Sequence, residues 1–181
     1  MQQQAINIQE PKWLKPIFEN IPEELRQQPW AVWKAEPRLD NKGKHNGKWS
    51  KAPRNPSTGI KIGSNQPNKF GTFEEAKNAY ISGNYTGVGV LLTGCGLIGI
   101  DIDDGKTVFK ETPALIDWLK NASKEGAYIE MSPSGNGLRV FIYGNLDSDG
   151  TRVGGLEIYK DVRFLTITGN DLPTEEGNHA K

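Results

Sequence analysis

Between residues 97 and 103 the chain reads Leu97-Ile98-Gly99-Ile100-Asp101-Ile102-Asp103, an apolar run in which acidic side chains enter at every second place. A strand alternates its side chains with period two, so Ile98, Ile100 and Ile102 turn to a core while Asp101 and Asp103 share the opposite face. The same period predicts strands at residues 30–34, 87–93, 128–131, 138–143 and 156–159, the last continuing through residues 163–168. Gly94-Cys95-Gly96 between residues 87–93 and the acidic strand predicts a hairpin. Two segments have helical spacing instead. Thr72-Phe73-Glu74-Glu75 opens one with a capping box and runs to about Ser82, with Phe73, Ala76 and Tyr80 inward. Thr112 and Pro113 open the other as cap and first residue, with Leu115, Ile116, Leu119 and Ala122 as its apolar stripe. Strands outnumber helices and alternate with them irregularly, which predicts an α+β fold on a mostly antiparallel sheet.

The first thirty residues carry Pro11, Pro16, Pro22 and Pro29, which permit only short helical pieces such as residues 23–28. Residues 1–29 are therefore expected to be a lead-in rather than core, residues 30–170 one domain, and residues 171–181 a flexible tail or the start of a linker. A chain of 181 residues is long enough for a single core without staples. Its composition, 35% hydrophobic and 24% charged, has no run approaching a membrane span and no polar-to-apolar signal pattern at the start. One cysteine cannot form an internal disulfide, which points to a reducing cytoplasm.

Charge changes the picture locally, not globally. Lys and Arg number 22 and so do Asp and Glu, so the net charge is zero and bulk attraction for phosphates is excluded. Yet residues 34–61 hold Lys34, Arg38, Lys42, Lys44, Lys48, Lys51, Arg54 and Lys61 against Glu36 and Asp40. With Gly43, Gly47, Asn46, Asn55 and Pro56 interspersed, this predicts a cationic loop: either a solubilising surface or, through Lys42, Lys44, Lys48, Lys51 and Arg54, a phosphate-binding one. Trp30, Trp33 and Trp49 flank it, and aromatics beside cations can stack on bases, although Trp30-Ala31-Val32-Trp33 suits a core strand.

Candidate chemistry narrows the options. Gly94-Cys95-Gly96-Leu97-Ile98-Gly99 matches a dinucleotide fingerprint in letters but opens a strand where that motif opens a helix. Asp101-Ile102-Asp103-Asp104-Gly105 lacks the glutamate at position twelve of a calcium loop, where Thr112 stands. Gly43-Lys44-His45-Asn46-Gly47-Lys48 is one residue short of a P-loop. His45 and His179 lie in a loop and a tail and support neither a zinc site nor a triad. Three elements remain. The paired carboxylates Asp101 and Asp103 repel unless a cation such as Mg²⁺ lies between them; the alternative is an exposed face ending in an Asp104-Gly105 turn. In Ser132-Pro133-Ser134-Gly135-Asn136-Gly137, small residues let backbone N–H groups approach a phosphate, and Arg139 just beyond can grip a triphosphate in a fork. Glu157 falls on the polar face of Leu156-Glu157-Ile158-Tyr159 and completes a carboxylate trio suited to two-metal phosphoryl or nucleotidyl transfer.

Together these motifs resemble the primase-polymerase domain of the archaeo-eukaryotic primase superfamily, in the compact form found in phage, plasmid and mobile-element replication proteins. The likeness covers residues 30–169. It implies an RRM-like catalytic core with flanking helices and an N-terminal strand and basic-loop subdomain. It further implies Asp101, Asp103 and Glu157 as catalytic ligands of Mg²⁺ or Mn²⁺, and a nucleotide-binding turn of Ser132, Ser134, Gly135 and Gly137. The family's histidine after this turn is Arg139 here, which keeps a phosphate donor but not a proton shuttle at neutral pH. The implied activity is template-dependent nucleotidyl transfer on DNA with dNTP or NTP, with Arg163 and Lys51 as phosphate or template contacts. Any helicase function would belong to another domain or partner. Two other classes stay open: a replication-initiator module that binds single-stranded DNA and nucleotide without synthesis, and a metal-dependent phosphodiesterase.

Overall fold

A computed structural model describes residues 9–172 apart from Cys95 and Asp149. After a 3-10 turn at Phe18–Asn20 come a short helix α1 (Glu23–Arg26) and strand β1 (Trp30–Trp33), followed by β2 (Glu36–Leu39), β3 (His45–Ser50) and the two-residue β4 (Pro53–Arg54). Helix α2 (Phe73–Ile81) leads to β5 (Gly87–Thr93) and β6 (Leu97–Ile102). Helices α3 (Gly105–Glu111) and α4 (Ala114–Lys124) precede β7 (Tyr128–Met131), β8 (Leu138–Tyr143), β9 (Gly150–Val153), β10 (Leu156–Tyr159) and β11 (Asp161–Ile167). Every strand pairing is antiparallel, in agreement with the expectation from sequence.

The strands divide among three sheets rather than one. The first runs β11-β5-β1-β4, the second β7-β8-β6-β10-β9, and β2 with β3 forms a separate ribbon. The expected hairpin of β5 with β6 does not form, because both edges of β5 are taken by β1 and β11 and both edges of β6 by β8 and β10. Each is a central strand, nearly continuous in buried residues. Likewise β10 and β11 are not one strand. The chain changes sheets between them, at a bulge where Val162 takes a positive φ of 48°.

Alternation along β6 divides the core. Ile98, Ile100 and Ile102, with Leu138 and Val140 of β8, pack under Leu119 of α4 and against Val108, Phe109 and Leu115. The other face of β6 turns to the first sheet. Leu97 joins Phe141, Val88, Val90, Leu92, Leu165 and Ile167 in one cluster. At Gly99 the sheets approach closely: a Cβ there would run into the Leu165 side chain, which would have to shift to admit it.

Other expectations need correction. The N-terminal segment contributes to the core at three positions: Phe18, Ile21 and Leu25 are buried against Trp30, Phe73 and Ala76. Prolines barred long helices there without barring burial. The cationic loop contains the β2–β3 ribbon, whose turn is set by Asp40: its carboxylate accepts the amides of Lys42 and Lys44, and Gly43 takes φ 72°. Asp104-Gly105 is not a simple turn but the left-handed entry to α3. Thr112 closes that helix, so α4 starts one residue later than expected and leaves Ile116 41% exposed. The capping box of Thr72 and Glu75 forms as expected. The expected tail, residues 171–181, lies outside the described residues from 173 onward.

Candidate active site

The site is built from one transverse row of the second sheet. In register, Glu130 of β7 stands opposite Arg139 of β8, Arg139 opposite Asp101 of β6, Asp101 opposite Glu157 of β10, and Glu157 opposite Arg152 of β9. Residues directly opposite across antiparallel strands share a face, so the row lies on the face of β6 turned to the first sheet. Glu130, Arg139 and Glu157 are buried, and the Asp101 side chain is 13% exposed. A line of acids and arginines is tolerated there because each charge has an opposite neighbour.

Arg139 is held at two points. Its Nη2 lies 3.3 Å from Asp101 Oδ1, and its Nε donates to Thr166 Oγ1 of β11 at 3.1 Å. Its Nη1 is buried without a hydrogen-bond partner. Asp101 Oδ1 likewise accepts no well-formed hydrogen bond. Burial pushes the Asp101 carboxyl above the usual carboxylate range; Arg139 opposes that shift, and Asp103 and Glu157 add to it. Glu157 is more fully engaged. Arg152 Nε reaches its Oε1 at 2.7 Å, Arg163 Nη2 its Oε2 at 3.3 Å, and the Tyr159 hydroxyl donates to the same oxygen. The Arg163 guanidinium also stacks 4.2 Å over the Tyr159 ring.

Asp103 stands just past the end of β6 and is exposed, with its amide donating to Gly155 O at 2.8 Å. Beside it lies the Ser/Gly turn. Ser132 Oγ accepts the Gly137 amide at 3.1 Å, Ser134 Oγ is 3.3 Å from Ser132 Oγ, and Gly135 takes φ 74°. At Gly137 a Cβ would fall 2.1 Å from Ile102 O, so only glycine lets the turn lie against the end of β6. The Asn136 carbonyl accepts the Gly105 amide at 2.8 Å, which ties the turn to the start of α3.

From the basic segment, Lys51 is coupled to this site by charge. Its ammonium is influenced by Arg139, Asp101 and Asp103, and lies 5.6 Å over the Trp13 ring; burial chiefly lowers its pKa. Arg54 is taken up elsewhere, paired with Glu36 at 2.6 Å and donating to Gly59 O. Lys42, Lys44 and Lys48 are exposed on the ribbon, and among the described residues none has an ion-pair partner.

Sequence reasoning thus found Asp101, Arg139 and Glu157 on one face, and missed Glu130, Thr166 and Arg152. Glu130 accepts the amides of Thr168 and Gly169 and the Tyr128 hydroxyl, at 2.7–3.0 Å. Burial pushes its carboxyl up to about 7 against the pull of those donors. The donor set around Asp101 suits a hard cation: an unsatisfied buried carboxylate oxygen, a second acid two residues on, and a third opposite in register. As the side chains stand, however, Glu157 is occupied by arginines, and among the described residues no three acidic, histidine or cysteine side chains converge on one metal position.

No family model matches the chain. A search of curated proteins finds it similar to a DNA primase-polymerase of Nitratiruptor phage NrS-1, 31% identical over 151 residues. The chain is related to that primase-polymerase. The alignment covers 77% of this chain and 19% of the phage protein, so the chain spans about a fifth of its relative's length. The likeness to a primase-polymerase domain that the motifs imply is thereby borne out. Among the described residues no helix is long and apolar enough to cross a membrane.

Proposed function

We propose that this chain is a template-dependent nucleotidyltransferase domain, a DNA primase or DNA polymerase acting in replication of a phage, plasmid or mobile element. The observation that carries the reading is the buried row of Glu130, Arg139, Asp101 and Glu157 next to the turn of residues 132–137. It joins carboxylates, an unspent guanidinium N–H and a glycine turn within one sheet end. The order β7-β8-β6-β10, with α3 and α4 crossing from β6 to β7, supports an RRM-like core.

In this reading the incoming dNTP or NTP lays its triphosphate along Ser132, Ser134, Gly135 and Gly137, where backbone amides and small side chains permit close approach. Arg139 supplies a charge-assisted contact, and Lys51 and Arg163 add positive charge at the margins. The 3′-hydroxyl of the growing strand attacks the α-phosphate, and pyrophosphate leaves. Mg²⁺ or Mn²⁺ bound by Asp101, Asp103 and Glu157 would supply neutralisation of the phosphate charge. Phosphoryl transfer depends mostly on positioning and electrostatics, so arginine in place of the family's histidine is compatible with synthesis. Lys42, Lys44 and Lys48 on the ribbon are proposed contacts to template DNA. A helicase would be supplied by another domain or partner, and the compartment is the cytoplasm.

The test is primer extension and de novo priming on single-stranded DNA with Mg²⁺ or Mn²⁺. Wild type is expected to extend or prime, and Asp101→Asn to do neither. One observation favours a second reading: Arg152, Arg163 and Tyr159 saturate Glu157. If those contacts persist when nucleotide is present, the chain is a replication-initiator module that binds nucleotide and single-stranded DNA. Binding of both without any synthesis would establish that reading over the polymerase.

A further inference from the structure

Arg139 lies on the second sheet, but what fixes its guanidinium comes partly from the first. An arginine held by Asp101 alone can rotate about that single contact, which sets no plane for its remaining donors. The Nε bond to Thr166 Oγ1 adds a second point of attachment and leaves Nη1 as the donor with no partner. Thr166 is 3% exposed and Arg139 4%, so water has little access to replace that bond. Thr166 is itself held from beyond. Two and three residues on, the amides of Thr168 and Gly169 donate to the buried Glu130 carboxylate, and Thr168 Oγ1 donates to Met131 O at 2.8 Å. The end of β11 is thus fastened to β7, on the far side of Arg139 from Asp101.

We propose that Thr166, steadied by the hold of Glu130 on the end of β11, is the positioning residue that orients Arg139 toward the nucleotide triphosphate. A threonine is suited to this role because its hydroxyl accepts from the guanidinium while its branched Cβ restricts its own rotation. This rests on the reading that Arg139 binds the triphosphate.

The experiment measures dNTP affinity by calorimetry on the intact chain, together with KM and kcat in primer extension, for four variants. Arg139→Ala tests the underlying reading: a loss of nucleotide affinity of about tenfold or more is expected. Thr166→Val keeps the shape and removes the acceptor, and is expected to weaken dNTP binding and raise KM about tenfold with kcat within twofold. Thr166→Ala, less crowded, serves the same criterion if the valine variant does not fold. Thr166→Ser restores the hydroxyl and is expected to return KM to within twofold of wild type. If Arg139→Ala binds dNTP as wild type does, the nucleotide site has been misplaced and the inference falls with it. If Arg139→Ala loses affinity while Thr166→Val and Thr166→Ala melt earlier but keep wild-type KM and affinity, Thr166 is merely structural and this inference alone is overturned.

Discussion

At the scale of single residues, the site departs from a simple cluster of repelling carboxylates. Asp101 is paired with buried Arg139, so truncating it to alanine strands a guanidinium and is expected to destabilise the fold by about 3–5 kcal/mol. Asp101→Asn keeps an oxygen acceptor though not the charge, and is the milder probe of chemistry: synthesis is expected to vanish with a smaller loss of stability than in the alanine variant. Glu130 carries a separate prediction. Its folded pKa, raised to about 7 from 4.5, means that between these values the unfolded state has released a proton that the folded state retains. Stability therefore falls as pH rises through this window, by about 3 kcal/mol in all, and is flat in this respect below and above it. Glu130→Gln cannot titrate, so the difference in urea midpoint between it and wild type is expected to change between pH 4.5 and 7.5. A difference independent of pH would mean that the hydrogen-bond donors keep this carboxylate ionised throughout.

At the scale of elements, β2 and β3 are predicted to act apart from the second sheet, which carries the proposed site. The ribbon exposes Lys42, Lys44 and Lys48, whereas Lys51 feels the charge of Asp101 and Arg54 is engaged by Glu36. Replacing the three exposed lysines with glutamine is expected to weaken single-stranded DNA binding for all sequences. It should also reduce the slope of log affinity against log salt by about 2, at roughly 0.7 for each phosphate no longer neutralised. Nucleotide KM is expected to stay unchanged, and an unchanged slope would return the ribbon to a solubilising role. The elements that carry the site were legible because in β6, β8 and β10 the charged residue stands between two apolar ones, so Asp101, Arg139 and Glu157 fall on predictable faces. The ribbon was not, since Glu36-Pro37-Arg38-Leu39 lacks strand-forming character and depends on the Asp40 turn. Glu130 was illegible for another reason. In Tyr128-Ile129-Glu130-Met131 it reads as an outward strand residue, and that β11 covers it is a tertiary fact. The switch of sheets between β5 and β6 was hidden in the same way: Gly94-Cys95-Gly96 reads in sequence as a hairpin turn, and competition for strand edges decides otherwise.

At the scale of the whole molecule, the N-terminal segment fastens the two sheets to each other. Leu14 N donates to Pro133 O in the Ser/Gly turn, Ile17 N to Thr168 O at the end of β11, and Asn20 Nδ2 to Gly169 O. Gly169 accepts this contact only as glycine, because a Cβ would stand 2.0 Å from Ile17 O. Between those ties Phe18, Ile21 and Leu25 enter the first core, so residues 17–25 close the apolar surface of β1, α2 and β5. Ile21→Ala is expected to cost about 2–5 kcal/mol, measured by urea denaturation, through lost burial and an unfilled cavity. Removing residues 1–29 altogether is expected to yield a chain that does not fold cooperatively, because Trp30, Phe73 and Val88 would lose their cover. A truncated chain with a sharp unfolding transition and intact nucleotide binding would instead restore this segment to the status of a dispensable lead-in, and would sever the link between the amino terminus and the turn proposed to receive the triphosphate.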